Sequence, residues 1–242
     1  MGFISLVVYL GYSLNPNKGY TIKVIDIQGS KLLPADQYYK FAKLDDSGKF
    51  ENLSLAIIKS RIEKHPYVNY AVVKYDGNDK VTVDIKEKNI EAIVFKNEQQ
   101  LLITKNFQLL PILPFTKQID YPVFSNPRVN RKLKVNENLN KNIDIITSFK
   151  IISTLKYVSP ELHDLLSEID LRNGKDIMLT FSSLPYPIVI GRGNEIRKTL
   201  YFSTLWNYLK GNELNSLMNY VDLRYDNHVY LGLMEQGEEK NI

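Results

Sequence analysis

A chain of 242 residues, 44% hydrophobic and 24% charged, can hold two modest domains or one large one and is too apolar for wholesale disorder. Its formal net charge of +4 comes from Lys and Arg scattered among Asp and Glu, which argues against a dedicated nucleic-acid binder, because phosphate neutralisation needs a basic stripe. The absence of cysteine removes disulfides, thiolate metal sites and a cysteine nucleophile together.

Met1 to Leu14 is apolar and uncharged, and Asn15-Pro16-Asn17-Lys18-Gly19 breaks it. A helix over these residues would span about 21 Å, short of the roughly 30 Å hydrocarbon layer. No basic region precedes it and no small-residue cleavage site follows, so an ordinary signal peptide fits poorly. Two readings stand: a buried N-terminal strand or helix, or the outer half of a transmembrane helix. The breaker run directly before a new domain favours the second, so residues 1–18 are read as an anchor remnant and linker.

Tyr20 to Gln28 reads as a strand, with Ile22, Val24 and, after a slip, Ile27 on one side. Gly29-Ser30 ends it, and Pro34 opens a short helix reaching Phe41. A second helix runs from about Leu53 to Lys64 with Asn52 as its N-cap; Leu55, Ile58 and Ile62 share one face, and His65-Pro66 stops it. Val68 to Tyr75 and Lys80 to Lys86 form a hairpin around residues 76–79, since Val81, Val83 and Ile85 alternate with polar residues. The order strand, helix, helix, strand, strand predicts a three-stranded sheet with two helices on one face.

The second half has a different texture. Short β-prone pieces between Ala92 and Val123 are punctuated by Asn97, Asn106, Pro111, Pro114 and Pro122, and Pro127 to Asn142 reads as loop. Ile143 to Tyr157 is helical, with Ile143, Ile146 and Ile151 or Leu155 inward, and Ser159-Pro160 ends it. Glu168 to Arg172 and Asp176 to Phe181 flank the hairpin signal Asn173-Gly174. Ile188 to Ile190 is a strand, turned by Gly191-Arg192-Gly193 into a helix over Glu195 to Lys210, with Ile196, Leu200, Leu205 and Leu209 at helical spacing and Gly211 at its end. Asn219 to Leu223 and His228 to Leu233 form a last hairpin around Tyr225-Asp226-Asn227, and residues 235–242 are a short acidic tail. The fold class is α+β.

The catalytic inventory is thin. His65, His163 and His228 are isolated, with no spacing that puts two imidazoles on one metal. Gly191-Arg192-Gly193 invites a phosphate-binding reading, but the third glycine of the dinucleotide fingerprint is missing and Glu195 puts negative charge in the first helical turn. A tight strand-to-helix turn explains the glycines more economically. No catalytic group, cofactor or metal is expected. A C-terminal strand with no later partner is a plausible sheet edge, and edges bind extended peptides through their backbone.

Three stretches carry a family likeness: residues 22–87 (IKVIDIQGS through VTVDIKEK), the turn and helix IVIGRGNEIRKTL, and YVDLRYDNHVYLG over residues 220–232. In this order they resemble the FtsQ/DivIB family of bacterial cell-division proteins. The resemblance implies a POTRA domain (βααββ) over residues 19–88 and a distal mixed β domain with flanking helices over residues 89–234. It implies a non-enzymatic divisome scaffold at the septum, held by a single pass in the cytoplasmic membrane with its bulk outside, in the periplasm or its equivalent. The implied partners are the bitopic coiled-coil proteins FtsB and FtsL, which add a strand to the last strands of the β domain, and other divisome proteins recruited through the POTRA domain. Carried onto this sequence, the partner-binding residues are Tyr225 with Arg224, then Asn227, Tyr230, Gly232 and Leu233 along the strand, and Arg172 in the preceding hairpin. The sequence departs from the family at Lys88-Asn89-Ile90-Glu91, where proline and small residues are common, and at Leu233, where an aromatic is common. The alternatives are a POTRA protein of outer-membrane assembly or secretion, which would need a barrel or repeated POTRA copies, and a small periplasmic enzyme, which would need an oriented nucleophile or base.

Overall fold

The computed structural model describes residues 21–117 and 119–234. The expected anchor (1–18) and acidic tail (235–242) lie outside the described residues, among which no helix is long and apolar enough to cross a membrane.

In the first unit, the alternation of β3 (Lys80–Glu87) buries Val81, Val83 and Ile85. β1 (Val24–Gln28) runs parallel to it and β2 (Val68–Gly77) antiparallel, giving the order β1-β3-β2. Two helices, α1 (Ala35–Ala42) and α2 (Leu55–Glu63), contribute Tyr38, Ala42, Ile58 and Ile62 to the core. Three local readings are corrected. Val24 is 51% exposed while Ile22, Ile25 and Ile27 are buried, so the slip in the strand falls before Val24. The N-cap of α2 is Ser54, whose hydroxyl accepts from the Ile57 N–H; Asn52 ends the preceding 3-10 turn (Ser47–Asn52). The hairpin turn is only Asn78 and Asp79, both with positive φ (52° and 58°) between paired Gly77 and Lys80, the backbone of a two-residue type I′ turn.

Two polar groups, half-buried Glu87 and buried His65, tie this unit together. Glu87, the last residue of β3, accepts from the amides of Lys31 (3.0 Å) and Leu32 (2.9 Å) and from the Tyr38 hydroxyl. His65 lies among Tyr38, Phe41 and Tyr67, with ring centroids 4.5, 4.7 and 5.6 Å away, and its Nδ1 accepts from the Tyr67 N–H. Burial, with the nearby Lys88 charge, pushes its pKa down to about 4. Residues 114–117 also belong to this unit, where the Lys117 N–H donates to the Leu32 carbonyl at 2.7 Å.

The second unit carries a nine-stranded sheet. In chain order its strands are β4 (Ile90–Lys96), β5 (Gln99–Thr104), β6 (Leu109–Pro111), β7 (Val123–Ser125), β8 (Leu166–Asp170), β9 (Met178–Phe181), β10 (Ile188–Val189), β11 (Met218–Asp222) and β12 (Tyr230–Leu233). In space the order is β12-β11-β10-β9-β8-β7-β4-β5-β6. The register lines up one residue from each of eight strands: Leu101, Val94, Phe124, Ile169, Leu179, Ile188, Val221 and Leu231. Opposed residues share a face, so this row is a single apolar ridge, buried everywhere except at Leu231, which is 37% exposed. On the opposite face the neighbouring row runs Phe95, Ser125, Asp170, Met178, Val189, Asp222 and Tyr230, and is more polar.

Three helices accompany this sheet: α3 (Ile143–Val158), α4 (Pro160–Leu165) and α5 (Glu195–Leu209). Their existence follows the sequence signals; Asn142 caps α3 by accepting from the Ile145 N–H, and Gly211 follows α5 with φ +76°. Their inward faces follow only in part: Ile151, Leu155 and Leu209 are in the core and Leu205 packs against it as expected, but the rest differ. In α3 the core takes Ile145, Phe149, Ile152 and Leu155, while Ile143 is 74% exposed and Ile146 is only partly covered. In α5 the core takes Phe202, Trp206 and Leu209, leaving Ile196 and Leu200 exposed. Both helices also carry outer apolar residues at helical spacing, and spacing alone mixed these with the inner ones. β7 and α4 have no counterpart in the sequence reading, β7 because three residues give no countable period.

Candidate partner-binding edge

β11 and β12 pair antiparallel, with Asp222 opposite Tyr230, Val221 opposite Leu231 and Tyr220 opposite Gly232. β12 ends the sheet and has one strand neighbour. The amides of Val221 and Leu223 donate to Pro187 and Val189 on the β10 side. Tyr220 and Asp222 therefore face β12, Tyr230 and Gly232 answer them, and the amides of Leu231 and Leu233 point away from the sheet. This open edge carries apolar side chains on both faces. Tyr220 and Tyr230 project on one, Leu231 on the other beside buried Val221, and Leu233 stands 55% exposed at the end.

Gly232 has a packing reason to be glycine. A Cβ there would lie 2.2 Å from the Tyr220 ring, which lies across the Gly232 backbone. The pair keeps this end of the edge flat and aromatic-covered, an arrangement that any larger residue at 232 would push open.

The connection between the two strands is set by Arg224. Its guanidinium binds Asp222 (2.6 Å) and reaches Asp176 (2.9 Å) in the connection between β8 and β9. Burial works to raise the Asp222 carboxyl, but hydrogen bonds and charge from Arg224 win and hold it below the usual carboxylate range. Gly191 presses against the stem of this arginine: a Cβ at 191 would sit 2.7 Å from the Arg224 Cγ, and its φ is +66°. Next to it, Arg192 turns inward to Asp144 (2.6 Å) and to the carbonyls of Leu171 and Lys175, while the Gly193 amide is taken by Glu195. The Gly191-Arg192-Gly193 turn is thus filled by its own side chains.

From Arg224 the chain passes to Tyr225, 55% exposed, whose ring meets Tyr230 edge-to-face at 5.0 Å and lies 6.0 Å from the Arg224 guanidinium carbon. Asn227, at φ 62°, accepts from Arg197 of α5 at 3.1 Å. Arg172 lies in the connection between β8 and β9, at the same end of the sheet by register, and its amide donates to Asp170. The structure therefore brings Arg224, Tyr225 and Tyr230 into one contact chain and puts Gly232 and Leu233 along the edge. Arg172 is not part of this contact chain; its amide is bound to Asp170 and its carbonyl to the Lys175 amide. Sequence reasoning missed Asp176, Asp222, Gly191 and Tyr220. The Asp222-Leu223-Arg224 spacing carried a signal for one of them; the others depend on cross-strand register and on a contact across 48 residues. Among the described residues no cluster of His, Asp and Glu could hold a metal ion.

The first unit runs strand, helix, helix, strand, strand, and residues 20–88 match the family model described as POTRA domain, FtsQ-type. Over 218 residues the chain is 22% identical to the cell division protein DivIB of Clostridium acetobutylicum, covering 87% of this chain and 82% of that protein. The chain thus carries an FtsQ-type POTRA domain and is similar over most of its length to a DivIB cell division protein.

Proposed function

We propose that this protein is a non-catalytic divisome scaffold, and that it binds bitopic coiled-coil partners of the FtsB and FtsL type by adding a strand from the partner to β12. In this reading the chain is a single-pass protein of the cytoplasmic membrane, its folded units lie outside it at the septum, and the POTRA domain meets other division proteins. The observation that carries the proposal is the outward pair of amides on β12, at Leu231 and Leu233, flanked by exposed tyrosines and leucines. Main-chain hydrogen bonds would supply affinity there, and Tyr225, Tyr230, Leu231 and Leu233 would supply contact area at low entropic cost. Arg224 holds Tyr225 in place, while Asn227 and Arg172 border the loop.

A pull-down of membrane partners with the wild-type chain and with Tyr225→Ala tests the site. Recovery of short coiled-coil membrane proteins by the wild type, lost in the variant, is the expected result. Equal recovery by both chains would remove Tyr225 from the site.

A further inference from the structure

We infer that the outer face of α3 and α5 is a second docking surface, and that its occupant is an amphipathic helix of a partner protein with acidic residues beside its apolar stripe. An open groove of about 630 Å³ runs along these helices. Its apolar lining includes Phe107, Ile146, Tyr157, Ile196 and Leu200, and Tyr157 is 91% exposed. It shares no residue with the β12 edge.

Three observations identify what covers it. First, the outer side of α3 mixes apolar and polar residues. Ile146 is half-covered and Tyr157 is exposed there, among Lys150, Ser153, Thr154 and Lys156, and this mixed face has no cover among the described residues. Second, the lining of α3 falls at Ile146, Lys150, Ser153, Thr154 and Tyr157, the three- and four-residue steps of a helical ridge. Ile196 and Leu200 repeat one such step on α5. A ridge of this kind beside a neighbouring helix receives a further helix, whose side chains interdigitate with it. Third, the charge at the rim has one sign. Glu91 is held by Lys156, while Lys105 and Lys150 line the groove with no carboxylate partner among the described residues. Two copies of this chain facing each other here would oppose lysine to lysine, whereas an acidic flank would meet them.

The test uses two synthetic helical peptides of about 20 residues, long enough to hold helix when bound. They have the same leucine stripe, flanked by Glu in one and by Lys in the other, and are titrated into the full chain by fluorescence anisotropy. The Glu-flanked peptide should bind saturably, and Ile146→Glu should weaken it by about tenfold or more. Lys150→Glu should reverse the preference between the peptides, an outcome that a misfolded variant would not give. Tyr225→Ala should bind the peptide like the wild type, which separates this surface from the strand-adding edge. Equal binding of both peptides, or no saturation up to about 1 mM, would overturn the inference. So would self-association of the chain that Ile146→Glu abolishes.

Discussion

The two sheets of this protein end differently, and the difference says where a partner strand can enter. In the POTRA sheet β2 is an edge of ten residues with Tyr70 and Val72 exposed, long enough to invite pairing. It is guarded: the Ala71 amide is capped by the Glu63 carboxylate at 2.9 Å, and the register is broken near both ends. At β12, four residues long, the outward amides of Leu231 and Leu233 have no partner among the described residues. A short edge is usually the safer one; here the long edge has an amide capped by a side chain, and the outward amides of the short one have none.

The strongest way to break this comparison is to close β12. Leu231→Pro removes an outward amide without touching the ladder to β11, so partner binding should fall at least about a hundredfold, roughly 3 kcal/mol. The melting curve followed by Trp206, the single tryptophan and buried in the second unit, should barely move. Retained binding would exclude strand addition at this edge.

Acid should separate the two units next. His65 is neutral in the folded POTRA domain because burial depresses its pKa to about 4, while the unfolded chain takes a proton near 6.5. Its contribution is therefore intact above pH 6.5 and is lost as the pH falls toward 4, by up to about 3 kcal/mol. Hydrogen exchange should show the POTRA amides losing protection over that range, and His65→Phe should flatten the response. An unchanged response in that variant would assign the acid sensitivity elsewhere.

Gly232→Val asks whether the shape of the open edge matters apart from its amides. Displacing the Tyr220 ring should weaken partner binding by about 1–2 kcal/mol, measured by calorimetry, with a smaller loss in thermal stability. The smallest effect is expected at the guarded edge. Glu63→Ala should uncap the Ala71 amide and cost the POTRA domain about 1 kcal/mol in a denaturant titration, leaving partner binding at β12 unchanged.

The POTRA half was largely legible in the sequence because its signals are local. Val81, Val83 and Ile85 alternate, Ile58 and Ile62 sit one turn apart, and the turn residues at 76–79 separate two β-prone runs. The helices of the second half were legible as helices and only partly in phase, with Ile151, Leu155 and Leu209 inward as expected. In α3 and α5 Ile143, Ile146, Ile196 and Leu200 compete with Ile145, Phe149, Phe202 and Trp206, and periodicity cannot say which stripe meets the sheet. Of the candidate edge, the final hairpin and the exposure of Tyr225 and Tyr230 could be anticipated. The contact of Tyr220 with Gly232 required the register, and the grip of Asp176 on Arg224 joins residues 48 positions apart, which no local pattern encodes.

The apolar row from Leu101 to Leu231 has a mechanical consequence. Hydrogen bonds in an antiparallel ladder lie across the strand direction, so a strand laid on β12 and pulled along its own axis strains several of them at once. Pulled outward from the sheet, the same strand loads them one after another. If a partner strand pairs antiparallel with β12, as proposed, the open end at Leu231 would make a joint that resists tension along the strand and peels away sideways.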